Sequence, residues 1–262
     1  MSVDLGAPAR AQLEAFLSQG FLALPGALDP STVRGAREAV LAAAEQAGGA
    51  QQSVVRIAPV HPACARALAS PTLEAAYDLL LGAGRWQPRS DLGTCVVRFP
   101  ATTVAPDTGW HVDAGFGWET EADFMQWRVN VRSRGRALLL LVLLSDVGED
   151  DAPTRLLVGS HLRLARHLAQ HGESGQTLQE LVDSGVLEPR SGEVALATGA
   201  AGTVFVCHPF LIHAAQDHRG KNPRAIAQPA IFAPGELSLD SDPPNAVERA
   251  IHDAIGSRRS SE

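Results

Sequence analysis

Two side chains in the middle of this sequence have the types and the spacing of metal ligands. His111 and Asp113 are two residues apart, so on a strand they would face the same side. An imidazole and a carboxylate are two members of the facial triad of two histidines and one carboxylate. That triad leaves open positions on iron(II) for a co-substrate and for oxygen. Because the His-x-Asp tripeptide alone is common, a third ligand must come from elsewhere in the chain.

Two histidines near the end of a later apolar strand compete for the third position. The strand begins near Thr203, and His208 and His213 both follow it. Pro209 favours extended or turn geometry at His208 without excluding it as a ligand. Arg224 favours His213, because a short, turn-rich return can bring this arginine back beside it. A guanidinium there could bind the far carboxylate of a 2-oxoacid whose other end chelates the metal.

Further side chains near this motif are candidates for contact with a substrate. Trp110 and Phe116 flank the His-x-Asp motif, and they either line the mouth of a pocket or pack in the core. The segment 128–136 is rich in arginine, and in an extended conformation its alternate residues share one face. That face either binds an anionic small molecule or is a solvated edge. Its residues are Arg128, Asn130, Arg132, Arg134 and Arg136.

The elements that must position these residues change character along the chain. Residues 1–90 are predicted to be mainly helical, with helix starts at Asp29-Pro30 and Ser70-Pro71. Residues 91–235 contain short apolar strands and two helical inserts, and residues 236–262 form a closing helix and a tail. Helices followed by many short strands indicate a β-sandwich or barrel with a helical layer. The predicted strands are 95–99, 127–131, 137–144, 194–197, 203–206 and 225–232.

Bulk composition restricts the class of protein. A chain of 262 residues with 45% hydrophobic and 19% charged residues is typical of one globular domain spanning 1–262. The formal net charge of −7 argues against a nucleic-acid-binding protein. Three scattered cysteines without a CxxC pair argue against a disulfide framework and favour a cytoplasmic location. The longest apolar run, 137–144, is too short to span a membrane, and the N-terminus has no pattern of a secretory signal.

The ordered motifs resemble the phytanoyl-CoA dioxygenase family of Fe(II)/2-oxoglutarate-dependent oxygenases. The resemblance covers roughly residues 10–235 and begins with the N-terminal pattern Phe16-Leu17-x-x-Gly20-Phe21-x-x-Leu24. The motifs that follow are Gly109-Trp110-His111-x-Asp113, Leu156-Leu157-Val158-Gly159-Ser160-His161, Phe205 to His213, and Arg224, which follows His213 at the spacing typical of the family.

The resemblance implies a double-stranded β-helix, or cupin-like jelly roll, with iron at its open end. It assigns His111, Asp113 and His213 to Fe(II) and Arg224 to 2-oxoglutarate, with O2 as the second co-substrate. The implied reaction is hydroxylation of an unactivated C–H bond in a small molecule, with release of succinate and CO2. Related halogenases lack the carboxylate ligand, so the presence of Asp113 favours hydroxylation. Many relatives have Ser or Thr two residues after the distal histidine, where this chain has Ala215.

Two other functions remain open from the sequence. A cupin-type isomerase or hydrolase would use a metal without 2-oxoglutarate, and it would have no need for Arg224. A catalytically silent binding protein of the same fold would be expected to lack a metal ligand, and none is missing here. The primary substrate and the choice between monomer and homodimer are not encoded in any motif of the sequence.

Overall fold

The structure is a computed structural model that describes residues 6–101, 105 and 107–256. Its N-terminal third is largely helical, and further helices lie between and after the later strands. The α-helices are α1 (Ala7–Gln19), α2 (Pro30–Gln46), α3 (Pro62–Arg66), α4 (Pro71–Leu81), α5 (Ser160–Leu168), α6 (Leu178–Asp183) and α7 (Ala246–Gly256). Within the described residues, no helix is long and apolar enough to cross a membrane.

Antiparallel strands form the centre of the molecule. The strands are β1 (Phe21–Leu24), β2 (Val54–Ile57), β3 (Thr94–Arg98), β4 (Arg128–Val129), β5 (Arg136–Leu143), β6 (Arg155–Leu157), β7 (Gln176–Thr177), β8 (Val194–Leu196), β9 (Val204–Cys207), β10 (His213–Ala214), β11 (Arg224–Gln228) and β12 (Ala230–Phe232). The large sheet has the order β1-β9-β5-β11-β3-β2, with β12 also paired to β5. A smaller sheet has the order β10-β6-β8, and β4 pairs with β7.

The two faces of the large sheet pack against different partners. Alternate residues of β5 contribute to two separate apolar clusters, as the period of two along a strand requires. Leu138 and Leu140 belong to the larger cluster, which contains residues of all the long helices. Leu139 and Leu141 belong to the smaller cluster, which also contains Leu156 of the small sheet. The smaller cluster therefore lies between the two sheets, inside the barrel.

The prediction of a mainly β core with flanking helices is confirmed, and several boundaries agree closely. Helix α2 begins at Pro30, and the side chain of Asp29 accepts a hydrogen bond from the Thr32 amide at 2.9 Å. Ser70 precedes α4 as predicted, but its hydroxyl donates to the Ala27 carbonyl at 2.5 Å and makes no capping bond. The hydroxyl at the start of α4 therefore attaches this helix to the loop between β1 and α2.

Some strands differ from the prediction. The predicted strand 127–131 is reduced to the two residues of β4, because the chain turns at 133–135 through three consecutive residues with positive φ. The predicted strand 225–232 is divided into β11 and β12 by Pro229, which has no amide hydrogen to donate. Strands β2, β6, β7 and β10 were not predicted; most are two or three residues long. The predicted tail after 256 lies outside the described residues.

Candidate metal centre

Two histidines that are distant in sequence meet in a backbone pair. The His111 amide donates to the His213 carbonyl and the His213 amide donates to the His111 carbonyl, both at 2.9 Å. The centres of the two imidazole rings are 4.3 Å apart. One ligand atom from each ring and one from the Asp113 carboxylate all lie within 4.8 Å of one another. The structure thus brings together the three residues that the sequence predicts as metal ligands.

The orientation of each imidazole is fixed by its own backbone. Nδ1 of His111 is 3.0 Å from the Gly109 carbonyl, and Nδ1 of His213 is 3.0 Å from the Leu211 carbonyl. Because a carbonyl can only accept, each Nδ1 carries the hydrogen and each Nε2 has a free lone pair. Nε2 of His213 lies 4.0 Å from an oxygen of Asp113. This is the tautomer that metal-binding histidines adopt when a second group holds the other ring nitrogen.

Neighbouring elements hold His213 in place. Strand β10 is only two residues long, and its register places His213 opposite Leu156 of β6. Directly paired residues face the same side of a sheet, and Leu156 belongs to the cluster inside the barrel. The amide of Ile212, one residue before the ligand, donates to the Ser160 hydroxyl at 2.9 Å. Gly159, with φ of 71°, forms the turn that presents this hydroxyl.

Asp113 is held as an anion by positive groups. Burial alone would raise the pKa of its carboxyl, but the positive charge of Arg136, together with the interactions with the His213 and His111 rings, outweighs burial and lowers it. Nη1 of Arg136 is 3.4 Å from the second oxygen of Asp113. Burial and the charge of His111 lower the pKa of His213, which keeps this imidazole neutral. Neutral imidazoles and an ionised carboxylate are the forms that bind a divalent metal.

Arg224 begins β11 and is almost completely buried, with 2% of its surface exposed. Its Nε and Nη2 donate to the Ala152 carbonyl at 3.1 and 2.6 Å. Its Nη1 has no hydrogen-bond partner among the residues that the structure describes. Burial, and after it the charge of Arg98, lower the pKa of its guanidinium to about 9, so Arg224 is still a cation at pH 7. A buried cation with a free donor is a suitable binding group for a carboxylate.

These donors fit a divalent iron better than a structural zinc. Two imidazoles and one carboxylate that converge from one side correspond to the facial triad, which leaves positions free for further ligands. Among the residues that the structure describes, no cysteine sulfur belongs to this group of ligand atoms. Burial raises the pKa of the Cys207 thiol, and the charge of the nearby Asp113 contributes to the same effect. The ligand set therefore has the chemistry that the sequence predicts.

Most of the chain matches the model of one protein family. The family model of phytanoyl-CoA dioxygenase (PhyH) matches residues 16–226, which include the three candidate ligands and Arg224. The chain belongs to this family. In sequence, no curated protein matches the chain.

Solved structures of similar fold are enzymes that use iron and 2-oxoglutarate. The epimerase SnoN in complex with Fe3+, alpha ketoglutarate and nogalamycin RO has a TM-score of 0.59 and 16% identity, over 87% of this chain and 84% of SnoN. The carbocyclase SnoK from nogalamycin biosynthesis has a TM-score of 0.57 and 19% identity, over 89% and 86%. EctD from S. alaskensis, with 2-oxoglutarate and 5-hydroxyectoine, has a TM-score of 0.57 and 20% identity, over 89% and 78%. These similarities confirm the double-stranded β-helix fold.

The aromatic residues beside the ligands of this PhyH chain are partly buried. The Trp110 ring lies under the guanidinium of Arg155, 4.9 Å from ring centre to charge, and it also packs against the core. Phe116 forms a backbone bridge with Arg128, and the Arg134 guanidinium stacks on its ring at 4.1 Å. Both aromatic rings are therefore covered on one face by an arginine.

The prediction of one basic face along 128–136 is wrong, because the chain leaves the extended conformation after Val129. Arg128 donates to the carbonyls of Ser174 and Gly175, and the amide of Asn130 donates to the Glu173 carbonyl at 2.9 Å. Arg132 and Arg134 lie near separate carboxylates at the surface, and Arg136 reaches Asp113. The five side chains therefore point in different directions.

The competing histidine, His208, is not part of this site. It is 1% exposed, and its ring packs against His161 at 4.9 Å and against Phe16 at 6.0 Å, in the cluster next to the helices. Its Nδ1 accepts from the Phe210 amide at 3.0 Å. Arg98 is a functional candidate to which the sequence assigned no role, and the contact of Arg136 with Asp113 was not predicted. A charged residue inside the apolar strand β3 was the available signal for Arg98.

Proposed function

We propose that this protein is an Fe(II)- and 2-oxoglutarate-dependent oxygenase that hydroxylates an unactivated C–H bond of a small molecule. The observation on which the proposal depends is the convergence of ligand atoms from His111, Asp113 and His213 within 4.8 Å. Membership of the phytanoyl-CoA dioxygenase family supports it. When bound, iron(II) and 2-oxoglutarate supply O2 activation, coupled to oxidation of the 2-oxoacid to succinate and CO2.

Each residue of the candidate site has a defined role in this proposal. His111 and His213 bind iron through Nε2, because their Nδ1 hydrogens are already bonded to backbone carbonyls. Asp113 supplies the negative ligand, and Arg136 binds its second oxygen and limits its rotation. Arg224 binds the far carboxylate of 2-oxoglutarate from inside the barrel. The apolar cluster between the sheets excludes water from that end of the co-substrate.

Substrate contacts are proposed at the mouth of the site. Phe116 and Trp110 are near the ligands in sequence and offer partly exposed aromatic surface. The side chains of Arg128 and Asn130 donate hydrogen bonds to the carbonyls of the segment 173–175. In this proposal they position that segment at the entrance to the site. An anionic substrate is also part of the proposal, because Arg134 lies over the Phe116 ring and Arg136 lies beside Asp113. We propose a cytoplasmic monomer or homodimer, in keeping with three free, buried cysteines.

Metal binding and turnover test this proposal directly. Asp113→Ala and His213→Ala should each abolish iron retention and the release of succinate from 2-oxoglutarate. Metal content after anaerobic loading and desalting, together with succinate yield, measures both effects. His252→Ala and Asp253→Ala are matched controls, since both side chains are more than half exposed on α7. Conversion of a substrate in the absence of 2-oxoglutarate would indicate the cupin-type isomerase or hydrolase instead.

The outcome at the substrate carbon needs a separate experiment. A panel of small acids, amines and aromatic metabolites is screened for compounds that stimulate succinate release, and the products are identified by mass. A gain of one oxygen atom supports hydroxylation. A product of unchanged mass indicates epimerisation, and a loss of two hydrogens indicates ring closure or desaturation. Iron and 2-oxoglutarate binding with no stimulated turnover across the panel would favour the silent binding protein.

A further inference from the structure

Two buried arginines face each other inside the barrel. The register of β3 and β11 pairs Arg98 directly with Arg224, and each is 2% exposed. Alternation along the strands places them on the same face as Val96 and Ile226, which belong to the cluster between the sheets. Both guanidiniums therefore enter the same interior space of the barrel.

The described residues only partly neutralise this pair of cations. Nη2 of Arg98 binds an oxygen of Asp107 at 2.6 Å, and Asp107 is shared with Arg56 near the surface. Arg224 binds no carboxylate, only the carbonyl of Ala152. Nε of Arg98 and Nη1 of Arg224 are buried without a hydrogen-bond partner in the part of the chain that the structure describes. Two buried guanidiniums with unpaired N–H donors are unfavourable unless an anion binds between them.

We propose that Arg98 is a second anchor for the far carboxylate of 2-oxoglutarate, acting together with Arg224. This inference rests on the proposed function. Ala215 stands where many relatives have a hydroxyl side chain, and an alanine side chain has no donor. A carboxylate offers about four lone-pair sites, enough to accept from both guanidiniums at once. Arg98 thus replaces the missing hydroxyl with a charged donor.

A doubly cationic pocket has a consequence for the choice of co-substrate. A 2-oxoacid that ends in a methyl group would leave both arginines buried and unpaired. The protein should therefore discriminate strongly between 2-oxoglutarate and 2-oxopentanoate, which have the same chain length. Removal of Arg98 should weaken binding of the diacid and leave binding of the monoacid unchanged.

The test measures binding and does not require turnover. Full-length protein is loaded with Ni(II) or with anaerobic Fe(II), and the Kd values of 2-oxoglutarate and 2-oxopentanoate are measured by calorimetry. In Arg98→Met the Kd of 2-oxoglutarate should rise roughly 10- to 100-fold, the effect of one lost charged hydrogen bond. The Kd of 2-oxopentanoate should change by less than about twofold on the same reasoning.

Two further variants isolate the role of Arg98. Arg56→Gln removes the other partner of Asp107 from a side chain that is 54% exposed, so it should leave both Kd values unchanged. A similar loss in Arg56→Gln would mean that Arg98 acts only by holding Asp107, which would overturn the proposal. Should Arg98→Met not fold, as judged by its thermal transition, Arg98→Lys keeps the charge without the planar fork. That variant should still bind 2-oxoglutarate more weakly than the wild type.

The failures of the two proposals are distinguishable. Metal-loaded wild type that does not bind 2-oxoglutarate would overturn the proposed function and this inference together. Wild type that binds 2-oxoglutarate, with Arg98→Met binding it equally well, would overturn this inference alone. An equal loss for the diacid and the monoacid would also overturn it, because the contact would then not involve the far carboxylate.

Discussion

The side chains of the candidate site differ in how completely the protein itself satisfies them. The Nδ1 hydrogens of His111 and His213 both have carbonyl partners, so these rings are fixed before any metal arrives. The guanidinium of Arg224 has one carbonyl partner and a donor left over. A side chain whose hydrogen-bonding groups all have protein partners is suited to fix the geometry of a site. A side chain that keeps an unpaired donor is suited to bind a ligand.

Replacement of Arg224 should separate co-substrate binding from metal binding. In Arg224→Ala we expect the concentration of 2-oxoglutarate needed for half-maximal succinate release to rise about 100-fold or more, since a charged anchor is lost. Iron content should remain at the wild-type level, because the hydrogen bonds of Arg224 go to the Ala152 carbonyl and to none of the candidate ligands. Arg249→Ala, at a side chain that is 54% exposed, is the control. An unchanged 2-oxoglutarate requirement in Arg224→Ala would show that the anchor is misassigned.

Short elements with long-range attachments position these residues. The turn at Gly159 and Ser160 contacts two parts of the chain at once. The Gly159 amide donates to the Gln19 carbonyl at 2.9 Å, and the Ser160 hydroxyl accepts from the Ile212 amide at 2.9 Å. Ser160 is 4% exposed, so water cannot replace its hydroxyl. This turn thus attaches α5 both to the end of α1 and to the strand that carries His213.

Removal of the Ser160 hydroxyl should destabilise the fold without removing a ligand. In Ser160→Ala the buried Ile212 amide loses its partner, which we expect to lower the free energy of unfolding by about 1–3 kcal/mol. Urea denaturation of the metal-free protein measures the change. Ser18→Ala, at an exposed serine whose hydroxyl bonds only within its own helix, should change stability by less than about 0.5 kcal/mol. Equal stability of Ser160→Ala and wild type would contradict this role.

The sequence predicted the long elements, and it selected the three candidate ligands that converge in the structure, because those signals are local. Asp29-Pro30 and the apolar run at β5 identify their own elements, and the ligand motifs are readable one by one. The pairing of strands within the sheets could not be predicted in the same way. The opposition of Arg98 and Arg224 depends on the register between strands that are far apart in sequence. The bend after Val129 likewise depends on positive φ values that no local motif at Ser133 and Arg134 indicates.

The molecule as a whole contains a second pair of histidines, buried next to the helical layer. His161 is completely buried, and Nε2 of His161 lies 3.2 Å from the Leu17 carbonyl. Burial lowers the pKa of His161 to about 4, and burial with the charge of His161 lowers the pKa of His208 below its usual value. Both rings are therefore neutral in the folded protein at pH 7. In the unfolded chain they would titrate near 6.5.

The fold should therefore lose stability in mild acid. Between pH 6.5 and about 4 the unfolded chain binds protons at these histidines that the folded protein does not, so stability falls as the pH falls. The contribution of His161 alone is ~3 kcal/mol across this window. In His161→Gln the dependence of the unfolding free energy on pH should become shallower. The measurement is chemical denaturation at several pH values, with the same metal loading throughout.

A matched control tests whether burial causes this pH dependence. His252 lies on α7 with 68% of its side chain exposed. The slope of stability against pH in His252→Gln should equal that of the wild type. If the slope in His161→Gln also equals that of the wild type, acid sensitivity comes from other groups.

The reciprocal backbone bonds between His111 and His213 also affect how the protein exchanges its metal. They join the two imidazole ligands through main-chain atoms, which do not depend on any ion. A chelator should therefore strip the centre while the polypeptide stays native. The emptied protein could then take up cobalt(II) or another paramagnetic ion without a refolding step, and that substitution would make the coordination sphere visible to spectroscopy.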